Sequence, residues 1–210
     1  MSSLIEKNAV VLFQGDSITD TGRNREDGND LGRGYAYLAS AWFSAAHPDL
    51  NVRFVNRGMG GNTVRDLRAR WQADCLDLKP SWVSVMVGIN DAAGRYAHNR
   101  VIPVEEFEGT YRELLTEARE ASGARFVLLE PFVLPTDADR VRWREDLDPK
   151  IEAVRRLARE FDAVYVPLDG IFARASAIFE PSFWAADGVH PSPAGHALIA
   201  QAWLESVKAL

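Results

Sequence analysis

The stretch AVVLFQGDSI, residues 9–18, decides how the rest of the chain is interpreted. Its apolar run, residues 9–13, lacks the polar alternation of a half-exposed strand, which is typical of a strand that helices cover on both faces. Gly-Asp-Ser follows, so the hydroxyl of Ser17 is expected at the carboxyl end of this strand, where ligands bind in open α/β sheets. Taken alone, the same serine is more typical of a helix cap.

Apolar runs and stretches with apolar residues at helical spacing alternate along the whole chain. The predicted strands are residues 9–13, 52–55, 82–87, 126–129 and 163–166, and the predicted helices are residues 35–46, 64–78, 104–121, 149–161 and 193–207. This order implies right-handed crossovers and a parallel sheet between two helical layers. We therefore expect an α/β fold in one domain, residues 1–210. Residues 21–34, 92–102 and 131–149 are predicted to be loops that shape a site at the carboxyl edge.

The composition limits the classes of function. The chain of 210 residues is 47% hydrophobic and 26% charged with a net charge of −6, and it has no Lys/Arg-rich block, so nucleic acid is not an expected partner. No stretch approaches the ~18 apolar residues of a membrane span, and residues 1–8 lack the apolar core of an export signal. The single cysteine, Cys75, forms no intrachain disulfide. These features predict a cytoplasmic protein without membrane contact.

The segment Asp187-Gly188-Val189-His190-Pro191 supplies what a reactive serine needs. A serine hydroxyl is a weak nucleophile until a base accepts its proton. His190 is the candidate base, and Asp187 would accept a hydrogen bond from the other imidazole nitrogen and fix the tautomer. The alternatives are a pair that only holds a turn, and His98, in a predicted loop, as a rival base.

Two further polar segments follow predicted strands and offer donors for a developing oxyanion. Residues 56–63 (NRGMGGNT) contain glycines, whose backbone N–H groups approach a ligand without a Cβ in the way. Residues 88–91 (GIND) carry the amide of Asn90. Either segment alone is equally typical of a tight turn. Four polar segments at successive strand ends point to one site.

Taken together, these segments resemble the SGNH, or GDSL-type, hydrolases. The resemblance rests on residues 15–20 (GDSITD), 60–63 (GGNT), 88–91 (GIND) and 187–191 (DGVHP), in family order over nearly the whole chain. It implies a flavodoxin-like three-layer α/β/α sandwich with a five-stranded parallel sheet. It also implies these roles: Ser17 as nucleophile, His190 as base, Asp187 as orienting acid, and Ser17, Gly61 and Asn90 as oxyanion donors. Ile18 stands where the family name has leucine, a volume-conserving change.

Residues 15–22, 61–67 and 79–84 are similar to a bacterial branch of carbohydrate esterases that includes intracellular acetylxylan esterases. That likeness implies a metal-independent esterase without a cofactor, acting on a small ester such as an acetylated sugar. A thioesterase or lysophospholipase of the same family, a non-catalytic carbohydrate-binding protein and a metal-dependent deacetylase are the alternatives. Self-association is left open.

Tryptophans and acidic residues provide further candidates. Trp143, in a predicted loop, and Trp184, just before Asp187, are candidate substrate contacts, with an oligomer interface or simple packing as alternatives. Trp42, Trp71 and Trp203 occupy apolar helical positions and are expected in the core. The aspartates of residues 20–30 and 137–139 lack the spacing of a calcium loop, so no metal site is predicted.

Overall fold

The structure, a computed structural model, describes residues 3–210, so the first two residues of the predicted domain lie outside the described residues. One parallel sheet organises this part of the chain. Its strands are β1 (Val10–Gly15), β2 (Arg53–Asn56), β3 (Trp82–Met86), β4 (Arg125–Leu129) and β5 (Val164–Val166), in the order β2-β1-β3-β4-β5. The order reverses between β1 and β3, and in sheets of this order ligands bind at the carboxyl ends of those two strands.

Helices connect the strands and cover the sheet. They are α1 (Ser17–Asp20), α2 (Tyr35–Ala46), α3 (Val64–Asp74), α4 (Ile89–His98), α5 (Val104–Ser122), α6 (Ala138–Glu160), α7 (Leu168–Ser176), α8 (Pro181–Trp184) and α9 (Pro193–Ser206). Short 3₁₀ turns occupy Pro48–Leu50 and Leu76–Leu78. Within the described residues, no helix has the length and apolar character needed to cross a bilayer.

Two apolar clusters lie on opposite faces of the sheet. Phe13 packs with α2 and α9, its ring centroid 5.7 Å from Tyr35 and 5.4 Å from Trp203. The neighbouring residue Leu12 belongs to the other cluster, together with Trp71 of α3 and residues of α5. Because successive side chains of β1 are buried on both faces, the continuous apolar run of the sequence corresponds to a central strand. The predicted three-layer α/β/α sandwich is confirmed.

Residues 92–102 are not a loop, and this prediction is wrong. Helix α4 begins at Ile89, inside the GIND segment, and ends at His98. The polar segment and the interior Gly94 obscure the helical pattern, because glycine weakens a helix. Packing compensates: Ala92 is fully buried, and Tyr96 stacks on Trp143 at a centroid distance of 6.2 Å.

Residues 131–149 are also wrongly predicted as one loop, since α6 begins at Ala138 and runs through Pro149. The Asp137 side chain caps this helix by accepting a hydrogen bond from the Arg140 N–H at 2.8 Å. A proline inside a helix removes one intrahelical hydrogen bond, whereas a proline in the first turn removes none. The sequence therefore indicates a helix that begins at Pro149. The apolar stripe of Trp143, Leu147 and Ile151 continues across the proline and buries the helix against the sheet.

The tryptophan predictions have mixed outcomes. Trp71 and Trp203 are buried, as expected. Trp42 is 62% exposed, so its predicted core position is wrong. It lies on the outer side of α2, whose buried residues include Ala39 and Phe43. Helical spacing alone does not separate the edge of an apolar stripe from its centre.

Candidate active site

The end of β1 places Ser17 at the switch point of the sheet. Gly15 is the last residue of the strand, and a Cβ there would lie 2.3 Å from the Met86 carbonyl oxygen, so only glycine fits. Asp16 then caps α1 by accepting a hydrogen bond from the Ile18 N–H at 3.0 Å. Since Asp16 is the cap, Ser17 is the first helical residue, and its hydroxyl is free to face His190.

A continuous chain of hydrogen bonds joins Ser17, His190 and Asp187. Ser17 Oγ lies 3.0 Å from His190 Nε2, and His190 Nδ1 lies 2.7 Å from Asp187 Oδ2. The other carboxylate oxygen, Oδ1, accepts the N–H groups of Val189 at 2.9 Å and His190 at 2.8 Å. One carboxylate therefore orients the imidazole and also fixes the loop that carries it.

The loop around Asp187 is anchored from α6. Arg140 Nε donates to the Asp187 carbonyl oxygen at 2.8 Å, and the Leu134 N–H donates to the Gly188 carbonyl at 2.8 Å. Partial burial alone would raise the pKa of Asp187, but its hydrogen bonds with His190 and Val189 hold that pKa below its usual value. Asp187 therefore stays ionised opposite the imidazole at neutral pH.

The turn that carries the predicted oxyanion donor Gly61 lies next to Ser17, since a Cβ at Gly60 would stand 3.9 Å from the Ser17 Cβ. Gly61 lies in the turn after β2 with φ at +79°. Beyond its two chain neighbours, no atom of the described residues lies within 4 Å of the position that a Cβ on Gly61 would take. Asn90 Nδ2 donates to the Asn62 carbonyl at 3.0 Å, which brings α4 against that turn. Among residues 3–210, the N–H groups of Ser17 and Gly61 donate no hydrogen bond and are available to a ligand.

A cavity of about 350 Å³ opens directly beside these donors. Its wall includes Gly61 and Asn90 together with the polar side chains of Thr63, Asp66, His98 and Arg100. His98, the rival base, thus lies on the cavity wall at the end of α4, and it is His190 that contacts Ser17. Ala93, Ala97 and Ile102 add apolar surface to the wall, so the cavity suits a compact substrate with both polar and apolar groups.

The two candidate tryptophan contacts are not among the described residues that line the cavity beside Gly61 and Asn90. Trp143 is in α6 rather than in a loop and is 7% exposed, between Tyr96 and the guanidinium of Arg140. Trp184 ends α8 and lines a separate cavity with Ile178 of the α7–α8 connection and Leu198 of α9. Substrate contact by either tryptophan stays a prediction. Within the described residues, no three His, Cys, Asp or Glu side chains cluster as metal ligands would.

Several residues that support the site were not predicted. Asp20 Oδ2 accepts the Gly60 N–H at 3.1 Å, and Asp91 Oδ1 accepts the Val64 N–H at 3.0 Å. Asp20 lies in the GDSITD segment and Asp91 in the GIND segment. Their place in these segments is the sequence feature that could have indicated their role. Arg140 carried no such signal, because its contact with the Asp187 carbonyl depends on how α6 packs.

Comparison with known proteins places the chain in a family. The model of the GDSL-like lipase/acylhydrolase family matches residues 13–198. The chain belongs to this family. It is an α/β carboxylic ester hydrolase in sequence and in fold.

The GDSL-like chain is similar to proteins of several bacteria. It is 36% identical over 205 residues, 94% of this chain and 93% of the other, to acetylxylan esterase of Geobacillus stearothermophilus. A putative GDSL-like lipase of Parabacteroides merdae superposes with a TM-score of 0.93 at 33% identity, covering 98% of each chain. Thioesterase 1/protease 1/lysophospholipase L1 of Escherichia coli is 28% identical over 180 residues, 84% of this chain and 78% of the other.

Three structures of the Geobacillus enzyme, Axe2, are catalytic mutants. They replace a serine, an aspartate and a histidine with alanine, and the histidine stands three positions after the aspartate. Each superposes on the GDSL-like chain with a TM-score of 0.90 at 35% identity, covering 97% of this chain and 95% of the other.

Proposed function

We propose that this GDSL-family hydrolase removes short acyl groups, acetyl above all, from a carbohydrate, with Ser17 as the nucleophile. The observation that carries the proposal is the unbroken hydrogen-bond chain from Ser17 through His190 to Asp187, beside free N–H donors. A non-catalytic carbohydrate-binding protein has no need of this arrangement. The proposal requires no metal and no cofactor.

In the acylation step, Ser17 Oγ forms a bond to the ester carbonyl carbon while its proton passes to His190 Nε2. The carbonyl electron pair moves onto oxygen, and the N–H groups of Ser17 and Gly61 and the side-chain amide of Asn90 stabilise that charge. When the tetrahedral intermediate collapses, the carbon–oxygen bond to the alcohol breaks. His190 returns its proton to the departing alkoxide, which leaves an acyl group on Ser17.

Deacylation repeats the same steps with water. His190 Nε2 accepts a proton from a water molecule whose oxygen attacks the acyl carbon, and the bond to Ser17 Oγ then breaks as the proton returns to the serine. Asp187 stabilises the imidazolium that exists during both steps. Because His190 and Asp187 are roughly half-exposed, at 57% and 47% for their side chains, water reaches the acyl-enzyme without a large opening motion.

Two comparisons support these roles. The catalytic mutants of Axe2 alter a serine and an Asp-x-x-His pair, the same residue types at the same spacing as Asp187 and His190. The relative that is 36% identical is an acetylxylan esterase, which favours an acetylated sugar as the substrate. The charged and hydrogen-bonding side chains in the wall of the cavity beside Asn90, among them Asp66 and Arg100, offer partners for sugar hydroxyls.

The thioesterase or lysophospholipase alternative has one observation in its favour, the 28% identity to the Escherichia coli enzyme. The chemistry on Ser17 would be the same, and the acyl chain would differ. A cytoplasmic location and a single domain stay predictions from the sequence, and self-association stays open.

The test uses Ser17→Ala with a panel of esters. Acetylated xylo-oligosaccharides, simple sugar acetates and aryl esters with acyl chains of two to twelve carbons are offered to wild type and variant. We expect turnover to be lost in Ser17→Ala and, in wild type, to fall steeply as the acyl chain lengthens. The matched control is Ser206→Ala, which removes a hydroxyl bonded to the Ala202 carbonyl within α9. Full activity in Ser17→Ala refutes the nucleophile, and faster turnover of twelve-carbon than of two-carbon esters refutes the substrate class.

A further inference from the structure

A carboxylate that takes no part in the proposed chemistry lies buried next to an oxyanion donor. Asp91 follows Asn90 on α4 and is fully buried. Its Oδ1 accepts the Val64 N–H at 3.0 Å, while Oδ2 has no hydrogen-bond partner within the described residues. Val64 is the first residue of α3, and its N–H has no acceptor inside that helix.

This contact is one of two adjacent ties between α4 and the turn that contains Gly61. Asn90 Nδ2 donates to the Asn62 carbonyl at 3.0 Å, and two residues later in the turn the Val64 N–H donates to Asp91. Asn90 and Asp91, neighbours on α4, therefore bond to the two ends of the segment 62–64. Gly61 stands immediately before that segment, so the ties set the position of its N–H relative to the Asn90 amide.

The start of α3 has a cap of its own besides the bond from Val64 to Asp91. Thr63 and Asp66 form a complete capping box: the Thr63 N–H donates to Asp66 Oδ2 at 2.8 Å, and the Asp66 N–H donates to Thr63 Oγ1 at 3.4 Å. Thr63 and Asp66 thus cap the start of α3, and Asp91 adds a bond from outside the helix. This bond adds a connection across 27 positions of sequence, from the helix after β3 to the first residue of α3, beside the Asn90–Asn62 tie.

Burial and hydrogen bonding act in opposite directions on the Asp91 carboxyl. Burial raises the pKa of Asp91 to about 7, and the Val64 N–H opposes that rise by stabilising the ionised form. The positive charge of Lys150 also favours ionisation, but its amine is hydrogen-bonded to Asp146 at 2.5 Å. The Val64 N–H is therefore the direct partner of the Asp91 carboxylate.

We propose that Asp91 is a positioning residue that holds the Gly61 N–H and the Asn90 amide at the spacing required to bind one oxyanion. The proposal rests on the proposed function, since it assigns Asp91 to the same site. Asp91 acts through Val64 and Asn90 and does not touch the reacting atoms. Displacement of a reacting group by about 1 Å is enough to cost on the order of 100-fold in rate.

The tie can be cut from either side. Asp91→Ala removes the acceptor. Val64→Pro removes the donor, and proline suits the first helical position, where the preceding Thr63 is already extended at φ −98° and ψ 176°. We expect each variant to lower kcat for an aryl acetate by about 10- to 100-fold with KM changed less than threefold. In the double variant the losses should not multiply, because both changes remove one interaction.

Three measurements separate positioning from loss of stability. A boronic acid that forms a tetrahedral adduct with Ser17 should lose affinity in Asp91→Ala by the same factor as kcat/KM, since both report oxyanion binding. Asp91→Asn keeps an acceptor for the Val64 N–H and should restore kcat to within about fivefold of wild type. Leu115→Ala creates a cavity in the core beneath α5 and should lower the Tm while leaving kcat within threefold.

The outcomes distinguish this proposal from the function on which it rests. If Ser17→Ala is inactive while Asp91→Ala keeps the kcat and boronate affinity of wild type, the positioning role is refuted and the nucleophile stands. If the losses of kcat multiply in the double variant, the two substitutions do not act through the Val64–Asp91 hydrogen bond, and the proposal is refuted. It is equally refuted if Asp91→Asn is as slow as Asp91→Ala. If Asp91→Ala does not fold, Val64→Pro and Asp91→Asn decide the question. Activity in Ser17→Ala refutes the proposed function itself.

Discussion

Replacing Asp187 by asparagine separates the two tasks of its carboxylate. Oδ1 fixes the loop through the N–H groups of Val189 and His190, and Oδ2 orients the imidazole. In Asp187→Asn the amide oxygen can retain the loop contacts, while the amide N–H₂ faces His190 Nδ1. The imidazole must then accept at Nδ1, which puts its proton on Nε2, the nitrogen that should accept from Ser17.

The size of the effect follows from the two contributions that are lost. A hydrogen bond with a charged partner contributes roughly 1.5–3 kcal/mol, and holding the wrong tautomer adds about 1 kcal/mol, the net value of a neutral hydrogen bond. A combined loss of roughly 2.5–4 kcal/mol corresponds to about 100- to 1,000-fold in kcat. A fully buried triad loses on the order of 10⁴-fold when its aspartate becomes asparagine. We expect less here, because the half-exposed imidazole of His190 can rotate into water.

Stability and kinetics together test this assignment. Asp187→Asn should keep the Tm of wild type within about 2 °C while kcat for an aryl acetate falls. Asp187→Ala should lose activity and Tm together, because it also removes the acceptor of the two loop N–H groups. A kcat for Asp187→Asn within tenfold of wild type, or an unchanged Tm in Asp187→Ala, would refute the division of tasks.

Two other variants probe the oxyanion site and the buried histidine. Asn90→Ala should lower kcat about 100-fold with a smaller change in KM, since one oxyanion donor contributes on the order of 3 kcal/mol. A raised KM with an unchanged kcat in steady-state assays would show a binding role instead. Burial lowers the pKa of His196 to about 4, and its Nδ1 accepts the Tyr35 N–H at 3.2 Å. Because the unfolded chain takes up this proton near pH 6.5, the stability that the neutral imidazole contributes is present above pH 6.5 and is lost as the pH falls to about 4. His196→Asn keeps an acceptor for the Tyr35 N–H but does not titrate. Between pH 6.5 and about pH 4, the free energy of unfolding measured in urea should therefore fall by up to about 3 kcal/mol less in the variant than in wild type. An equal fall in both proteins would contradict this prediction. The pKa of Asp16, raised to about 7 by burial, acts in the opposite direction in both proteins and cancels in the comparison.

Local signals predicted the sheet and the positions of the residues proposed to react. Five apolar runs correspond to five strands. Gly-Asp-Ser follows the first of them closely, so Ser17 lies at the sheet edge regardless of how the helices pack. The three-residue spacing of Asp187 and His190 lets one turn bring both side chains together, and the structure joins them at 2.7 Å. These features depend on neighbours in sequence, which is why a single chain revealed them.

Features that depend on packing were missed. Helix α6 continues through Pro149 because Trp143, Leu147 and Ile151 are buried along it, and this tertiary gain outweighs the lost hydrogen bond. The same packing places Trp143 against Tyr96, away from the exposed loop in which the sequence suggested it. Trp42 shows the opposite error, since its helical position is apolar but the residue is largely exposed.

The register of the sheet explains why the separate segments meet at one site. Gly15 pairs with Met86 and Phe13 with Asn56, so β1, β2 and β3 end at nearly the same height. Ser17, Gly61 and Asn90 each follow one of these ends within five residues. A shift of one residue between β1 and β3 would exchange the two faces of β1 and bury the wrong side chains, so the cores on both faces hold the register. The register brings the donors close, but it does not fix the last ångström between the Gly61 N–H and the Asn90 amide. That remaining freedom is removed by side chains that bridge the segments, among which the fully buried Asp91 makes the connection to α3.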